Sequence, residues 1–221
     1  MQHESEIVGR NGLNGKSDCP FCRHERIPYI LKETPHFLLA TDHAPLVEGH
    51  LLIIPKDHYA CYGEVPAELD EELQEQKQEV RRFFARYYHP AIFWEHGVFR
   101  QTVYHAHLHC FPFGSAAYDL ARGLHDHVVS SQDDIRAWYA SQGQYFYLED
   151  EQSALLFAPD IDRYLFVIRE VLWQEVAART NHPQWRSAQE RYNAGGPLIA
   201  ATAEKWQAFE QMQREGAKDS C

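Results

Sequence analysis

The chain has 221 residues, with 21 basic and 32 acidic side chains and a net charge of −11. A chain of this length can bury a core without disulfide staples, and its charge argues against binding nucleic acid duplexes through the phosphate backbone. No apolar run approaches the roughly 20 residues needed to cross a bilayer, and the start, MQHESEIVGRNGLNGKSD, lacks the basic-then-apolar pattern of a secretory signal, so a cytoplasmic protein is expected.

The first 17 residues, rich in Gly, Asn and charge, read as a flexible arm. Order is expected from Asp18. IPYILKE, HFLLATD and HLLIIPK are short apolar runs separated by turn residues, the pattern of an antiparallel meander. Next comes an amphipathic helix: Leu69, Leu73, Val80, Phe83, Phe84 and Tyr87 recur at helical spacing, Pro66 suits a first turn, and the other face carries Glu, Gln, Lys and Arg. AIFWEHGVF and TVYHAHLHCFPF read as two further strands with a turn at Gly97. Beyond Gly114 a helix is expected from about Asp133, a hairpin from QYFYLED and SALLFAPD, and a helical stripe at Leu165, Ile168, Leu172 and Val176. This second half is compatible with a separate layer packed on the first. Its aromatic-rich segments suit core packing better than a pocket for a base.

Two constellations carry chemistry. The five cysteines are an odd number, and only Cys19 and Cys22 are close, in Cys-Pro-Phe-Cys. That spacing lets both thiolates reach one zinc ion, with His58 and one histidine of a later cluster as candidates to complete the set; two reduced thiols at a turn are the plain alternative. The later cluster is YHAHLHCF, where strand geometry sends His105, His107 and His109 to one face and Ala106, Leu108 and Cys110 to the other. Three imidazoles in a row could share a metal only with ligands from across the sheet. A nucleophilic role needs one neutral ring aimed at an electrophile, a neighbour that fixes its tautomer, and donors for the oxygen that gains charge. The middle ring has that setting. His96, His125 and His127 could suggest a second metal, but a solvated loop explains the HDH run more simply.

YHAHLHCF, together with CPFC, HFLLATDHAPLVEGHLLIIPKDH, the helix and the Gln101–Tyr104 approach, resembles the histidine triad (HIT) superfamily of nucleotide hydrolases and transferases over residues 18–113. The resemblance implies an α+β fold, a HIT-like antiparallel meander with a long helix, as the catalytic domain; residues 114–221, which it does not cover, are expected to form an α/β extension packed on it. It implies that His107 attacks the α-phosphorus and forms a nucleotidyl-imidazole, that His109 supports the phosphate oxygens, and that Gln101 and Thr102 donate to the phosphate. Asp42 would hold the ribose hydroxyls, and His50 would be a support. In the zinc-bearing branches Cys19, Cys22, His58 and His105 would hold a structural zinc. Family members commonly dimerise, so a homodimer is a possible form.

Glu95 replaces the family's usual Asn, and Arg100 replaces the Gly before Gln101. A carboxylate near a phosphate is repulsive unless paired or protonated, so Glu95 would orient a triad ring, meet a cationic or hydroxylated leaving group, or pair with Arg100 at the rim. Arg100 would otherwise contact phosphate directly. The expected function is a nucleotide hydrolase or nucleotidyltransferase; the competitors are an enzyme whose triad histidines ligate a catalytic metal and a non-catalytic, zinc-stabilised nucleotide-binding module.

Overall fold

The computed structural model describes residues 18–27, 29–114, 127–159 and 187–218. The meander is β1 (Ile30–Glu33), β2 (Phe37–Thr41) and β3 (Leu51–Pro55), followed by α1 (Asp70–Tyr87), β4 (Ile92–Glu95) and β5 (Leu108–Phe111). Then come β6 (His127–Val128), α2 (Gln132–Gln142), β7 (Phe146–Glu149), β8 (Ala154–Phe157), α3 (Ala188–Ala194) and α4 (Gly196–Lys218). The strands form one sheet of eight in the order β1-β2-β3-β5-β4-β7-β8-β6, and each named pairing is antiparallel. The protein is an α+β fold. Among the described residues no helix is long and apolar enough to cross a membrane.

β2 and β3 are apolar at nearly every position because both faces of the sheet are covered. Phe37, Leu39, Leu51 and Ile53 join the core beneath α1, with Val80, Phe83 and Phe84. Leu38, Ala40, Leu52 and Ile54 form a second cluster with Phe21 and Ile27 of the N-terminal segment. α4 packs on α1 through Trp206, whose ring meets Phe83 edge-on at 4.9 Å.

Two expectations about the strands change. The hairpin β7–β8 is not a separate layer: β7 pairs with β4 at Phe93↔Glu149, Trp94↔Leu148 and Glu95↔Tyr147, so it extends the first sheet and occupies its β4 edge. And β5 is short, beginning only at Leu108, because the approach from Gln101 to His107 bonds to a neighbouring loop instead, with the Ala106 N–H donating to the Tyr59 carbonyl at 2.6 Å. The alternation nevertheless holds, since Ala106, Leu108 and Cys110 enter the core below the sheet. Tyr145 and Tyr147 are core residues and Phe146 is fully buried, in keeping with the packing role. The stripe from Leu165 to Val176 lies outside the described residues.

Candidate active site

The face of the sheet opposite α1 carries a cavity of about 470 Å³, within the range of small-molecule sites. The strands set its floor: Trp94 of β4 lies across from His109 of β5, and His109 across from Leu52 of β3, and all three line the cavity. His107, Gln101, Thr102 and Arg100 come from the approach to β5, Asp42 and His50 from the β2–β3 connection, and Phe21 from the N-terminal knuckle.

The three triad rings go to three different partners. His107 Nδ1 lies 2.7 Å from the His105 carbonyl, and a carbonyl can only accept, so Nδ1 carries the proton and Nε2 the lone pair. His109 has the opposite tautomer. The Leu46 N–H donates to His50 Nδ1 at 3.3 Å, which puts His50's proton on Nε2, 3.0 Å from His109 Nδ1. His109 Nδ1 therefore accepts, and its own proton sits on Nε2. Adjacent rings thus offer one lone pair and one N–H donor. Burial keeps them neutral: it lowers the pKa of His107, takes His50 down to about 4, and puts His109 well below the usual value.

His105 turns to the knuckle. Its Nε2–H donates to the Pro55 carbonyl at 2.7 Å, which aims Nδ1 at Cys19 Sγ (3.4 Å) and Cys22 Sγ (3.5 Å). Cys22 Sγ lies 3.2 Å from His58 Nδ1, and the four ligand atoms are all within 4.8 Å of one another. Two sulfurs and two nitrogens around one tetrahedral zinc stand roughly 3.3–3.8 Å apart, given bonds of about 2.3 and 2.0 Å. The residues fit such an ion, and the carbonyl on the far nitrogen of His105 is the usual outer support of a ligating imidazole. Phe21, between the two cysteines, lies edge-on to His107 at 5.2 Å, so the knuckle packs directly on that ring.

Asp42 Oδ1 accepts the Ala44 N–H at 2.7 Å, and Oδ2 is 3.7 Å from His50 Nε2. Burial works against its ionisation, yet the His50 ring and the Ala44 N–H hold its pKa below the ordinary carboxylate value. Thr102 is exposed on the cavity wall. Gln101 differs from expectation: its amide nitrogen donates to the Ala60 (3.2 Å) and His105 (2.9 Å) carbonyls, so it holds the His105–His107 turn and its two hydrogens do not face a phosphate. His96 joins the cavity, whereas His127 is exposed on β6 and His125 lies outside the described residues.

Glu95 is not in the cavity, which corrects its assignment to substrate binding. Strand alternation puts Trp94 on the cavity face and Glu95 on the core face, where its carboxyl takes the Tyr62 N–H at 2.8 Å and the Tyr145 hydroxyl. Burial raises its pKa from 4.5 to about 8. Between those two values the folded chain holds a proton that the unfolded chain has released, so stability falls as pH rises through that window. Glu95→Gln mimics the protonated form. It is expected to be more stable than wild type at pH 8, by about 1–3 kcal/mol, and to flatten the pH dependence of thermal melting between pH 5 and 8; an unchanged slope would contradict the buried-acid argument.

Arg100 lines the cavity with φ +49°, a left-handed conformation that glycine adopts freely and that costs other residues about 1 kcal/mol. The substitution at this position thus keeps the backbone geometry a glycine would give and adds a cation. Three residues back, Gly97 at φ +50° has no such latitude, because a Cβ there would lie 2.5 Å from the Tyr145 carbonyl oxygen. Arg100→Gly should melt above Arg100→Ala by about 1 kcal/mol, since both lose the side chain but only one loses the strain; the reverse order in calorimetry would show that the strain is absent.

Arg191 and Ala188 of α3 also line the cavity. No motif marked them: they lie far from the triad in sequence, and only the packing of α3 on the Asp42–His50 connection brings them there.

The sheet, the histidine run and its opposed tautomers define a histidine-triad-like protein. Residues 12–123, about half of the chain, match the family described as "Protein similar to CwfJ C-terminal", and the chain belongs to that family. Similar solved structures include a zinc-bound histidine triad family protein from Mycobacterium smegmatis, 23% identical over 57% of this chain and 96% of that one, with a TM-score of 0.38. A HIT family protein from Bacillus anthracis is 21% identical over 57% of this chain and 94% of its own, with a TM-score of 0.39. A HIT family member from Bacillus subtilis is 23% identical over 57% and 96%, with a TM-score of 0.37. No curated protein matches the chain.

Proposed function

We propose that the protein is a nucleotide hydrolase or nucleotidyltransferase that works through a covalent intermediate on His107. The observation that carries this reading is the 2.7 Å bond from His107 Nδ1 to the His105 carbonyl, which makes Nε2 the lone-pair nitrogen of a neutral, buried ring beside the cavity. Nε2 attacks the α-phosphorus, a P–N bond forms, and the P–O or P–N bond to the leaving group breaks. His109 Nε2–H donates to the phosphoryl oxygen as negative charge gathers there, and the Nδ1 bond to the carbonyl stabilises the cationic imidazole that results. Water or another acceptor then attacks phosphorus and returns His107 to its neutral form. Asp42 binds the ribose hydroxyls, Thr102 and Arg100 contact the phosphate, and Gln101 positions the His107 turn.

The reading includes a structural zinc on Cys19, Cys22, His58 and His105, which fixes the knuckle and Phe21 against His107. It places the protein in a reducing compartment such as the cytoplasm, where these thiols stay reduced. Residues 18–113 supply the catalytic residues, and the strands and helices after them complete the sheet and cavity.

Intact-mass measurement after brief exposure to nucleoside 5′-phosphoramidates, dinucleotides and nucleotide sugars tests the reading. A gain of one nucleoside monophosphate in wild type, absent in His107→Ala, is expected. Turnover of a donor by His107→Ala at the wild-type rate would refute it.

A further inference from the structure

The cavity is positive in a negative protein. Among the described residues its charged lining groups are Arg100, Arg191 and Asp42, two guanidiniums and one carboxylate, and burial keeps His50 and His109 on its floor neutral. The whole chain carries −11. A cleft of one sign with low-dielectric walls concentrates ligands of the opposite sign, and here the excess cation comes from outside residues 12–123, the segment matched to the family.

Arg191 is placed by several separate contacts. The Ser187–Glu190 capping box starts α3. Arg191 Nε donates to the Ala44 carbonyl at 3.2 Å, which fixes the guanidinium against the Asp42–His50 connection. The Tyr192 ring is 6.0 Å from His43, and Gly195 approaches Pro45 so closely that a Cβ would lie 2.7 Å from its ring. After the turn, Thr202 of α4 accepts the Gly49 N–H at 2.9 Å. α3 and α4 are thus bound to the same connection that presents Asp42 and His50. Arg191 lines the cavity together with Asp42, His50 and His109, so it lies at the working side of the cavity.

We propose that Arg191 is a substrate-contacting residue whose guanidinium binds a phosphoryl oxygen of the nucleotide, so that α3 completes a site the histidine segment leaves open. The assignment rests on the nucleotide reading above but not on the covalent step. Arginine suits the task because its planar, permanently charged fork makes charge-assisted bonds to phosphate. A wall residue that only shaped the cavity would not distinguish a nucleotide from its nucleoside.

Calorimetric titration of the full chain with AMP and with adenosine, and in parallel with GMP and guanosine, tests this. Wild type should bind at least one monophosphate about tenfold or more tighter than its nucleoside, and Arg191→Ala and Arg191→Gln should each lose about tenfold in monophosphate affinity, on the scale of a charge-assisted hydrogen bond. Nucleoside affinity should stay within about twofold, and Arg191→Lys should recover part of the loss. Arg191→Gln keeps a polar side chain of similar bulk, so the comparison survives if the alanine variant misfolds. Equal losses for monophosphate and nucleoside, no loss for either, or no monophosphate binding in wild type would each overturn the assignment. If the preference depends on Arg191 while wild type forms no adduct on His107, the covalent reaction fails and the anion contact stands. An adduct with a preference indifferent to Arg191 is the converse.

Discussion

His107→Ala is expected to lower kcat/KM by at least about 10³-fold on any donor that wild type turns over, while nucleotide affinity changes by no more than about tenfold. The asymmetry follows from the ring's two nitrogens. Nδ1 is tied to the His105 carbonyl at 2.7 Å, so removing the ring costs the proposed nucleophile and one internal hydrogen bond, whereas Asp42, Thr102, Arg100 and Arg191 remain on the cavity wall. The cavity itself survives, since its floor is β3, β4 and β5. His109→Ala should behave differently, reducing kcat by about 10²–10³-fold through loss of a donor to the charged oxygen, yet still forming the adduct slowly. Single-turnover kinetics separates the two: no burst in the first variant, a slowed burst in the second. Comparable activity of His107→Ala and wild type would leave the protein a nucleotide-binding module, and loss of activity in both variants restored by added metal would favour catalytic metal ligation.

What could be read from the chain and what could not divides along physical lines. β2, β3 and α1 were legible because burial imposes period on sequence: Leu73, Val80, Phe83 and Phe84 fall on one helical stripe, and the meander strands are bounded by turn residues. The histidines were legible because alternation on an extended backbone survives even where the pairing of β5 does not begin until Leu108. Glu95 was misplaced because its facing depends on which residue of β4 sits opposite His109. Trp94 does, and a shift of one residue would have turned the carboxylate into the cavity.

Other features depended on distant partners. Lys77 belonged to the polar face of α1 by pattern, but it is 3% exposed because β7 brings Glu149 and Tyr147 over it. That burial is possible only because the C-terminal hairpin extends the sheet along β4, an edge whose pairing no local signal announces. The same edge would have been open for association with a second copy in a shorter chain; here it is occupied from within. Arg191 is the functional counterpart of Lys77. A cation in a short helical segment has no local mark of a site, and its role depends on the docking of α3 against the Asp42–His50 connection.

Cys19→Ser is expected to lose the zinc proposed for the knuckle and to destabilise the chain, by about 2–5 kcal/mol, with a fall in activity that is large but smaller than that of His107→Ala. Zinc content is the direct measure: about one ion per wild-type chain and well under half in the variant, with Cys61→Ala, whose thiol is buried in the core, retaining the metal. The stability loss follows from how the knuckle is held. It contributes Phe21 and Ile27 to the smaller apolar cluster on the cavity face of the sheet, and a four-donor site ties that segment to His58 and His105. Without the ion, a serine hydroxyl in place of a thiolate leaves Cys22, His58 and His105 with too few charge-bearing partners to fix the turn. The activity loss follows from Phe21, whose ring lies 5.2 Å from His107. When the knuckle loosens, water reaches His107 and its pKa rises toward the ordinary imidazole value, because burial is what lowers it. The acidic limb of the pH–rate profile should therefore move to higher pH in Cys19→Ser. A variant that melts lower but keeps the wild-type profile would show that the knuckle stabilises the fold without setting the state of the catalytic ring, and full zinc occupancy in Cys19→Ser would exclude the four-residue site.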